Sequence, residues 1–146
     1  MNNKNKLIAA LSDKSSFKRF GVLEDYAIIA DSEDDIDRML RIAEYDPDPI
    51  VRHEAIAELV HLEIKKPSLT TRFRYKIQEY LIRRIHHDKS VVVRHEAIEA
   101  LAYFGDEKSV IVLQNFLKGL NSDIRCSAQI SYNLLVFRLK CQEPSE

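Results

Sequence analysis

Glycine and proline are scarce in this sequence: the 146 residues include three glycines and four prolines, with no run of either. This leaves little material for β-hairpins or interdomain linkers, so the balance favours helices. The two cysteines, Cys126 and Cys141, have fourteen residues between them and lack the close pairing of zinc ribbons or thioredoxin-like sites. A cysteine-paired zinc or redox site is therefore not expected.

Long apolar segments are also missing from the chain. No stretch approaches the roughly 20 apolar residues of a membrane span, and the first residues, Met1 to Lys6, lead into no apolar signal region. We therefore expect a cytoplasmic protein with no membrane partner. A formal net charge of -1 with 31% charged residues excludes nucleic-acid binding by bulk charge, so a nucleic-acid partner would require a local basic patch.

The chain does contain an internal repeat. The segment from Val51 to Ile56 returns as the segment from Val93 to Ile98, and a third, weaker frame aligns on Arg125. The arginines of successive frames are 42 and 31 residues apart. Periods of this size with two helices each are typical of solenoids of the HEAT type. Each frame opens on a residue that can cap a helix N-terminus, namely Asp48, Ser90 and Asn121.

Apolar residues at helical spacing follow and precede each cap, which predicts a helical hairpin for every repeat. The residues on the packed face after each cap are Val51, Ala55, Leu59 and Leu62, then Val93, Ala97, Leu101 and Phe104, then Ile124, Ala128, Tyr132 and Leu135. The preceding helices carry Ile36, Met39, Leu40 and Ala43, then Ile77, Leu81 and Ile85, then Val110, Leu113, Leu117 and Leu120.

The predicted fold is all-α: a short HEAT-like α-solenoid, a right-handed α-α superhelix, of about three helical hairpins. We place the repeats at 33–63, 68–105 and 107–140, with a disordered tail at 141–146. Residues 1–32 would form an N-terminal helical cap, with helices near 4–11 and 22–30 and a loop at 12–20. For Cys126, at the histidine position of the third frame, we expect a buried or half-buried side chain.

The segment from Val93 to Leu101, followed by Gly105-Asp106-Glu107, resembles the short HEAT-like repeat of the phycobilisome-lyase type over about residues 34–137. The doubled Arg-His-Glu-Ala string is also similar to deoxyhypusine hydroxylase. In that family, His-Glu pairs at the starts of repeat helices bind a di-iron centre. The similarity to bilin lyases is one of repeat type alone, since no residue identifies a chromophore contact.

The second resemblance implies that His53, Glu54, His95 and Glu96 are ligands of a non-haem iron. It implies four such pairs, whereas this chain has two, because the third frame reads Cys126-Ser127. An oxygenase-like centre would therefore be a half-site, or would be completed by a homodimer.

The plainer interpretation of these pairs requires no ligand. The strings recur because the repeat was duplicated, and glutamate near a helix N-terminus is favoured by about 0.3–1 kcal/mol through the helix dipole. Arg52 and Arg94 would then pair with acidic groups of the preceding turn, for which Asp46 and Asp88 are candidates.

Charge is segregated along the chain. Ten acids and two bases lie from Glu24 to Asp48, whereas eight bases and two acids lie from Lys65 to Lys89. The favoured function is a non-catalytic protein–protein interaction or scaffold module without a cofactor, acting as a monomer or homodimer. Its predicted partner-binding residues are Arg52, Arg94, Arg72, Arg74, Arg83 and Arg84. The alternative is the iron half-site at the two His-Glu pairs.

Overall fold

The computed structural model describes residues 2–142, and within this range the chain is helical and forms no strand. The predicted all-α fold is confirmed. In chain order the helices are α1 (Asn3–Ala10), α2 (Ser16–Ile29), α3 (Glu33–Tyr45), α4 (Pro49–Lys65), α5 (Pro67–Thr70), α6 (Arg74–His87), α7 (Val91–Phe104), α8 (Glu107–Phe116) and α9 (Ser122–Gln142), with a 3-10 turn at Thr71–Phe73 before α6. None of these helices is both long and apolar enough to cross a bilayer.

The chain divides into two compact units, Met1–Phe73 and Arg74–Glu146. In the first unit α1 packs against α2, and α4 packs against both α2 and α3. In the second unit α7 packs against both α6 and α9, and α8 packs against α9. The expected hairpins are therefore the pairs α3–α4, α6–α7 and α8–α9. The second predicted repeat, 68–105, begins inside the first unit, because α5 and the 3-10 turn belong to that unit.

Each unit has its own apolar core, and the predicted helix faces supply most of it. The fully buried core side chains of the first unit include Leu23, Tyr26, Ile36, Met39, Ile56 and Leu59. Those of the second unit include Ile77, Leu81, Ile98, Leu101, Phe104 and Leu113. The handedness of the predicted superhelix stays a prediction.

Side chains at the helix starts account for where the helices begin. Asp48 accepts from the backbone N–H of Ile50 at 2.9 Å, and Pro49 occupies the first helical position, where a missing N–H costs nothing. Asn121 accepts from two N–H groups of the first turn of α9 at 3.0 Å. The second predicted cap is wrong in detail: within the described chain the Ser90 hydroxyl makes no cap bond, and Asp88 accepts from the Ser90 N–H instead.

Three expectations from the sequence need correction. Helix α2 begins at Ser16, so the predicted loop at 12–20 is shorter and ends at the Ser15 cap. Helix α8 ends at Phe116, which leaves Leu120 fully exposed in the turn before α9 instead of on a packed face. Cys126 is exposed, because it lies on the side of α9 that faces away from α7 and α8.

The predicted disordered tail at 141–146 also begins later than expected. Helix α9 continues through Gln142, so its first two residues are helical. The rest of the predicted tail, 143–146, lies outside the described residues.

Two glycines in different surroundings give a matched stability test. A Cβ at Gly105 would lie 2.6 Å from the Leu101 carbonyl oxygen and from Ser109 Cβ, whereas a Cβ at the exposed Gly21 would meet nothing within 4 Å. Gly105→Ala should therefore destabilise the protein by about 1–3 kcal/mol through overpacking. Gly21→Ala, in the middle of α2, should stabilise it by about 0.5–1 kcal/mol. Urea unfolding of both variants checks this, and equal effects would contradict it.

Candidate functional site

An arginine four residues after the cap recurs at the start of four helices, and in α2, α4 and α9 it fastens the helix to the turn before it. The backbone N–H of Arg19, Arg52, Arg94 and Arg125 closes the first turn of its helix at 3.0–3.1 Å. The guanidinium Nη1 of Arg19, Arg52 and Arg125 also reaches back to the carbonyl oxygen six residues earlier, at 2.8, 2.8 and 2.7 Å. The repeated arginine is thus a turn lock, and Arg52 uses its donor groups within the protein.

Sequence reasoning missed the copy of this lock in the first 32 residues. Arg19 occupies the same position after Ser15 as Arg52 does after Asp48, and it bonds the same two carbonyl positions as Arg125. The spacing from an aspartate to the arginine, six residues in Asp13 to Arg19 as in Asp46 to Arg52, is the signal that could have revealed it. The N-terminal segment therefore shares the helix-start geometry of the repeats.

The aspartates of these turns fix the backbone in the same way. Asp13, Asp46 and Asp88 each accept from the N–H two residues later at 2.8–2.9 Å. The Ser15 N–H is the main reason that the pKa of Asp13 lies below its usual value.

Asp46 has a second partner that comes from another helix. Arg19 Nε and Nη2 donate to its two carboxylate oxygens at 2.6 and 2.8 Å, and both side chains are buried. The sequence suggested Arg52 as a partner of this carboxylate. Arg52 Nη1 donates to the Asp46 backbone carbonyl oxygen, and its pairing with the carboxylate stays a prediction. The fork-to-fork geometry joins α2 to the turn before α4.

The predicted metal ligands occupy matching places in the two units. His53 and Glu54 lie in the first turns of α4, in the first unit, and His95 and Glu96 lie in the first turns of α7, in the second. All four side chains are half-buried. The four-residue iron site stays a prediction.

One group of potential ligands lies entirely on α7. His95, Glu96 and Glu99 each offer a ligand atom within 4.8 Å of the others, and His95 Nε2 lies 3.6 Å from Glu99 Oε1. One residue beyond the identical segments, the first copy has Ala57 where the second has Glu99, so the group of three occurs in the second copy and not in the first. Imidazole with two carboxylates is a donor set that suits zinc, iron or manganese.

The predicted partner-binding arginines differ in how accessible they are. Arg74 donates to the Tyr103 carbonyl oxygen and lies over the Phe104 ring, and the Arg84 side chain is 15% exposed beside Asp88. These two arginines therefore serve packing within the second unit. Exposed guanidinium groups remain at Arg72, in the first unit, and Arg83, in the second.

Arg94 lies at the lock position of α7 and is half-buried. It lines a cavity of about 180 Å³ together with Ile98 and Phe116. Within the described chain its buried Nε has no hydrogen-bond partner.

A cleft of about 640 Å³ lies in the first unit, between the α1–α2 turn and α3. Its apolar lining comes from Ile8, Leu11, Ile42, Tyr45 and Pro47, and its cations are Lys14, Arg19, Arg38 and Arg41. Asp13 and Asp46 also line it. The acidic segment from Glu24 to Asp48 contains two basic residues, and both of them line this cleft.

Comparison with known families identifies a repeat in the second unit. Residues 93–119 match the family described as PBS lyase HEAT-like repeat. The protein contains a HEAT-like repeat. The matched HEAT-like repeat runs from the first turn of α7 through α8 and includes Arg94, His95, Glu96 and Glu99. No curated protein matches the chain, and the similarity to deoxyhypusine hydroxylase stays a prediction.

The register of the HEAT-like repeat extends beyond the matched segment. Helices α2, α4 and α9 each begin with the same cap-to-arginine spacing as α7 and close the same first-turn hydrogen bond. The protein is therefore a helical repeat scaffold, with the turn lock as its recurring element.

Proposed function

We propose that this protein is a non-catalytic interaction module that binds an acidic, partly apolar segment of another protein in the cleft of its first unit. Helical repeats commonly present extended surfaces to partners. The observation that carries the proposal is the cleft itself, in which exposed Lys14 and Arg41 border an apolar floor.

The chemistry of the cleft determines the kind of partner. A volume of about 640 Å³ is in the range of sites that bury a few side chains. Ile8, Ile42 and the exposed ring of Tyr45 can cover apolar groups, while the cations at the rim attract carboxylates and speed association. Arg19 and Asp46 already neutralise each other, so the remaining charge of the cleft is positive.

The cations of the basic segment from Lys65 to Lys89 are the weaker candidates. Arg74 and Arg84 are engaged with neighbouring groups of their own unit, and Lys66 donates to the carbonyl oxygens of Ile28 and Ala30 at the end of α2. These cations already have partners inside the protein. Lys14 and Arg41 therefore replace them as our leading contact residues.

Charge reversal in the cleft should weaken the binding of acidic peptides. Wild-type protein, used to select from a displayed random-peptide library, should enrich sequences that combine Asp or Glu with an apolar residue. The Lys14→Glu/Arg41→Glu variant should bind the selected peptides at least about tenfold more weakly. Fluorescence anisotropy at two salt concentrations measures the loss, and binding should weaken as salt rises.

The matched control reverses two exposed lysines of the second unit, Lys89→Glu/Lys118→Glu, and should leave peptide binding unchanged. Selection of peptides without acidic residues, or equal loss in both double variants, would reject the cleft as the site. Circular dichroism of each variant verifies that the helices are retained.

A second candidate function is metal binding at His95, Glu96 and Glu99. Three ligand atoms converge on this one helix, which favours a site at these residues over the four-residue site that also requires His53 and Glu54. Titration with Zn²⁺ or Fe²⁺ should then show about one equivalent bound per chain, lost in His95→Ala. His61→Ala is the control, because His61 is exposed on α4 and contacts Glu58 instead. Unchanged binding in His95→Ala would remove the hypothesis.

A further inference from the structure

Helix α9 has an exposed apolar stripe that no motif in the sequence identified. Ile130, Leu134 and Phe137 are 60%, 41% and 66% exposed, and they follow one another at helical spacing. Cys126 and Cys141, both exposed, extend the stripe by one turn at each end. The stripe spans about 22 Å of helix.

The other side of α9 is already committed to the protein core. Ile124, Ala128, Ser131 and Leu135 are buried on this side, and α9 packs against α7 and α8. A contiguous exposed apolar face on a helix marks an interaction surface. At 21 residues α9 is also longer than the 14-residue α7, whose start it matches.

The charges of α9 lie outside the stripe. Arg125 and Arg138 turn back to backbone carbonyls of their own unit. Asp123 and Lys140 are exposed near the two ends of the helix and have opposite signs. A partner helix should therefore be apolar in the middle, with a cation opposite the start of α9 and an anion opposite its end.

The stripe meets these requirements when it faces a copy of itself in antiparallel orientation. With the twofold axis between Asn133 and Leu134, Ile130 lies opposite Phe137 of the second copy, and Cys126 lies opposite its Cys141. In the same register Lys140 of one copy lies opposite Ser127 of the other, so Lys140 and the other copy's Asp123 lie about one helical turn apart at the same end of the pair. Parallel pairing would instead bring like charges together and align the helix dipoles.

We propose that two copies of this chain associate through their α9 helices in antiparallel orientation. Apolar side chains interdigitate along the stripe, and the two cysteine pairs flank them. The inference is independent of the cleft in the first unit, because it uses only residues of α9.

Disulfide trapping tests the orientation directly. Under oxidised glutathione, two facing thiols exchange with the oxidant to form one disulfide and release two reduced glutathione molecules. Wild-type protein should form a covalent dimer. The Cys126→Ala and Cys141→Ala variants should each remain uncross-linked alone, but a mixture of the two should yield a dimer joined through Cys141 and Cys126. Non-reducing gels and peptide mass spectrometry identify the linkage.

Sedimentation equilibrium under reducing conditions tests the apolar contacts without the cysteines. Ile130→Glu and Phe137→Glu should each lower the association constant at least about tenfold. Both side chains are exposed, so the helical fold should be retained, as circular dichroism can verify. Ile111→Glu is the control: this side chain is 61% exposed on α8 and is not part of the stripe, so its replacement should leave association unchanged.

Three outcomes would overturn the proposal. Cross-linking of each single-cysteine variant with itself would show parallel pairing. Equal weakening by Ile111→Glu would place the contact elsewhere. A reduced wild-type protein that stays monomeric, yet binds phosphatidylcholine vesicles or an apolar displayed peptide through the stripe, would assign the surface to lipid or to a different protein.

Discussion

Replacing Arg19 by leucine is expected to lower the free energy of unfolding of the first unit by about 3–5 kcal/mol. The substitution removes the two guanidinium donors to the buried Asp46 carboxylate. The backbone N–H of Asp48, at 2.9 Å, still donates to that carboxylate but carries no charge to neutralise it. It also frees the carbonyl oxygens of Asp13 and Lys14, which Arg19 holds in the turn before α2. Urea unfolding monitored by circular dichroism gives the change.

Two comparisons separate the buried pair from a general effect of losing an arginine. Arg41→Leu removes an exposed guanidinium of α3 and should change stability by less than about 0.5 kcal/mol. The double variant Arg19→Leu/Asp46→Leu should be more stable than the sum of the two single losses predicts, because no uncompensated buried charge remains. A loss of less than about 1 kcal/mol for Arg19→Leu would show that the pair is dispensable.

Asp35→Asn should cost about 3 kcal/mol at neutral pH, through a buried network at the start of α3. The Asp35 carboxylate accepts from Lys4 Nζ at 2.7 Å, from the Tyr26 hydroxyl at 2.6 Å and from the Asp31 N–H at 2.9 Å. These groups tie α1 and α2 to α3. An asparagine of the same shape retains part of the hydrogen bonding but loses the charge that Lys4 neutralises.

The pH dependence of this difference follows from the pKa of Asp35. Burial alone would raise this pKa, but the hydrogen bonds from Asp31, Lys4, Tyr26 and Ser32 outweigh burial and hold it well below its usual range. The carboxylate therefore contributes stability that is fully present above its unfolded pKa of about 4 and is lost as pH falls through the folded value. The difference in the free energy of unfolding between wild type and Asp35→Asn should narrow steadily below about pH 4. A gap of constant size from neutral pH to about pH 2 would contradict this account.

The same network predicts a loss of stability in alkaline solution. Burial, with the hydrogen bond to Asp35, raises the pKa of Tyr26 to about 12, and the carboxylates of Asp31 and Asp35 raise that of Lys4 to about 12. Both groups contribute stability that is present below their unfolded pKa values of about 10 and is lost as pH rises towards 12. Urea unfolding at a series of pH values measures this loss. Tyr26→Phe should make the free energy of unfolding fall less steeply between about pH 10 and 12, and an unchanged slope would contradict the role given to Tyr26.

The parts of the fold that the sequence predicted correctly depend on local patterns. The duplicated segment at Val51 and Val93, and the apolar spacing after each cap, determine where a helix starts and which face it buries. Where the local signal was weaker the prediction was less accurate: α2 begins before Val22, and α8 ends before Leu120. Apolar periodicity alone does not show at which residue a helix begins or ends, so it cannot tell a packed side chain from an exposed one just beyond the helix end.

The candidate binding residues were less predictable than the fold, because a charged side chain such as arginine can pair with several different groups. The basic segment suggested a binding surface, yet Arg74 and Arg84 are held by groups of their own unit. The cleft of the first unit takes two of its cations from the acidic segment of the chain. The sequence showed that the two His-Glu pairs are equivalent. It did not draw attention to Glu99, whose carboxylate comes close to His95 because one turn of α7 separates the two residues.

The sequence by itself determined the all-α class, the helical pairs and the recurring arginine at the starts of α4, α7 and α9, since caps and apolar periodicity act over a few residues. Only the tertiary structure decided that Arg19 pairs with Asp46, 27 residues away, and that Ile130, Leu134 and Phe137 remain exposed. The physical reason is that an ionic or apolar side chain pairs with whichever group packing brings within reach. That choice depends on how whole helices meet.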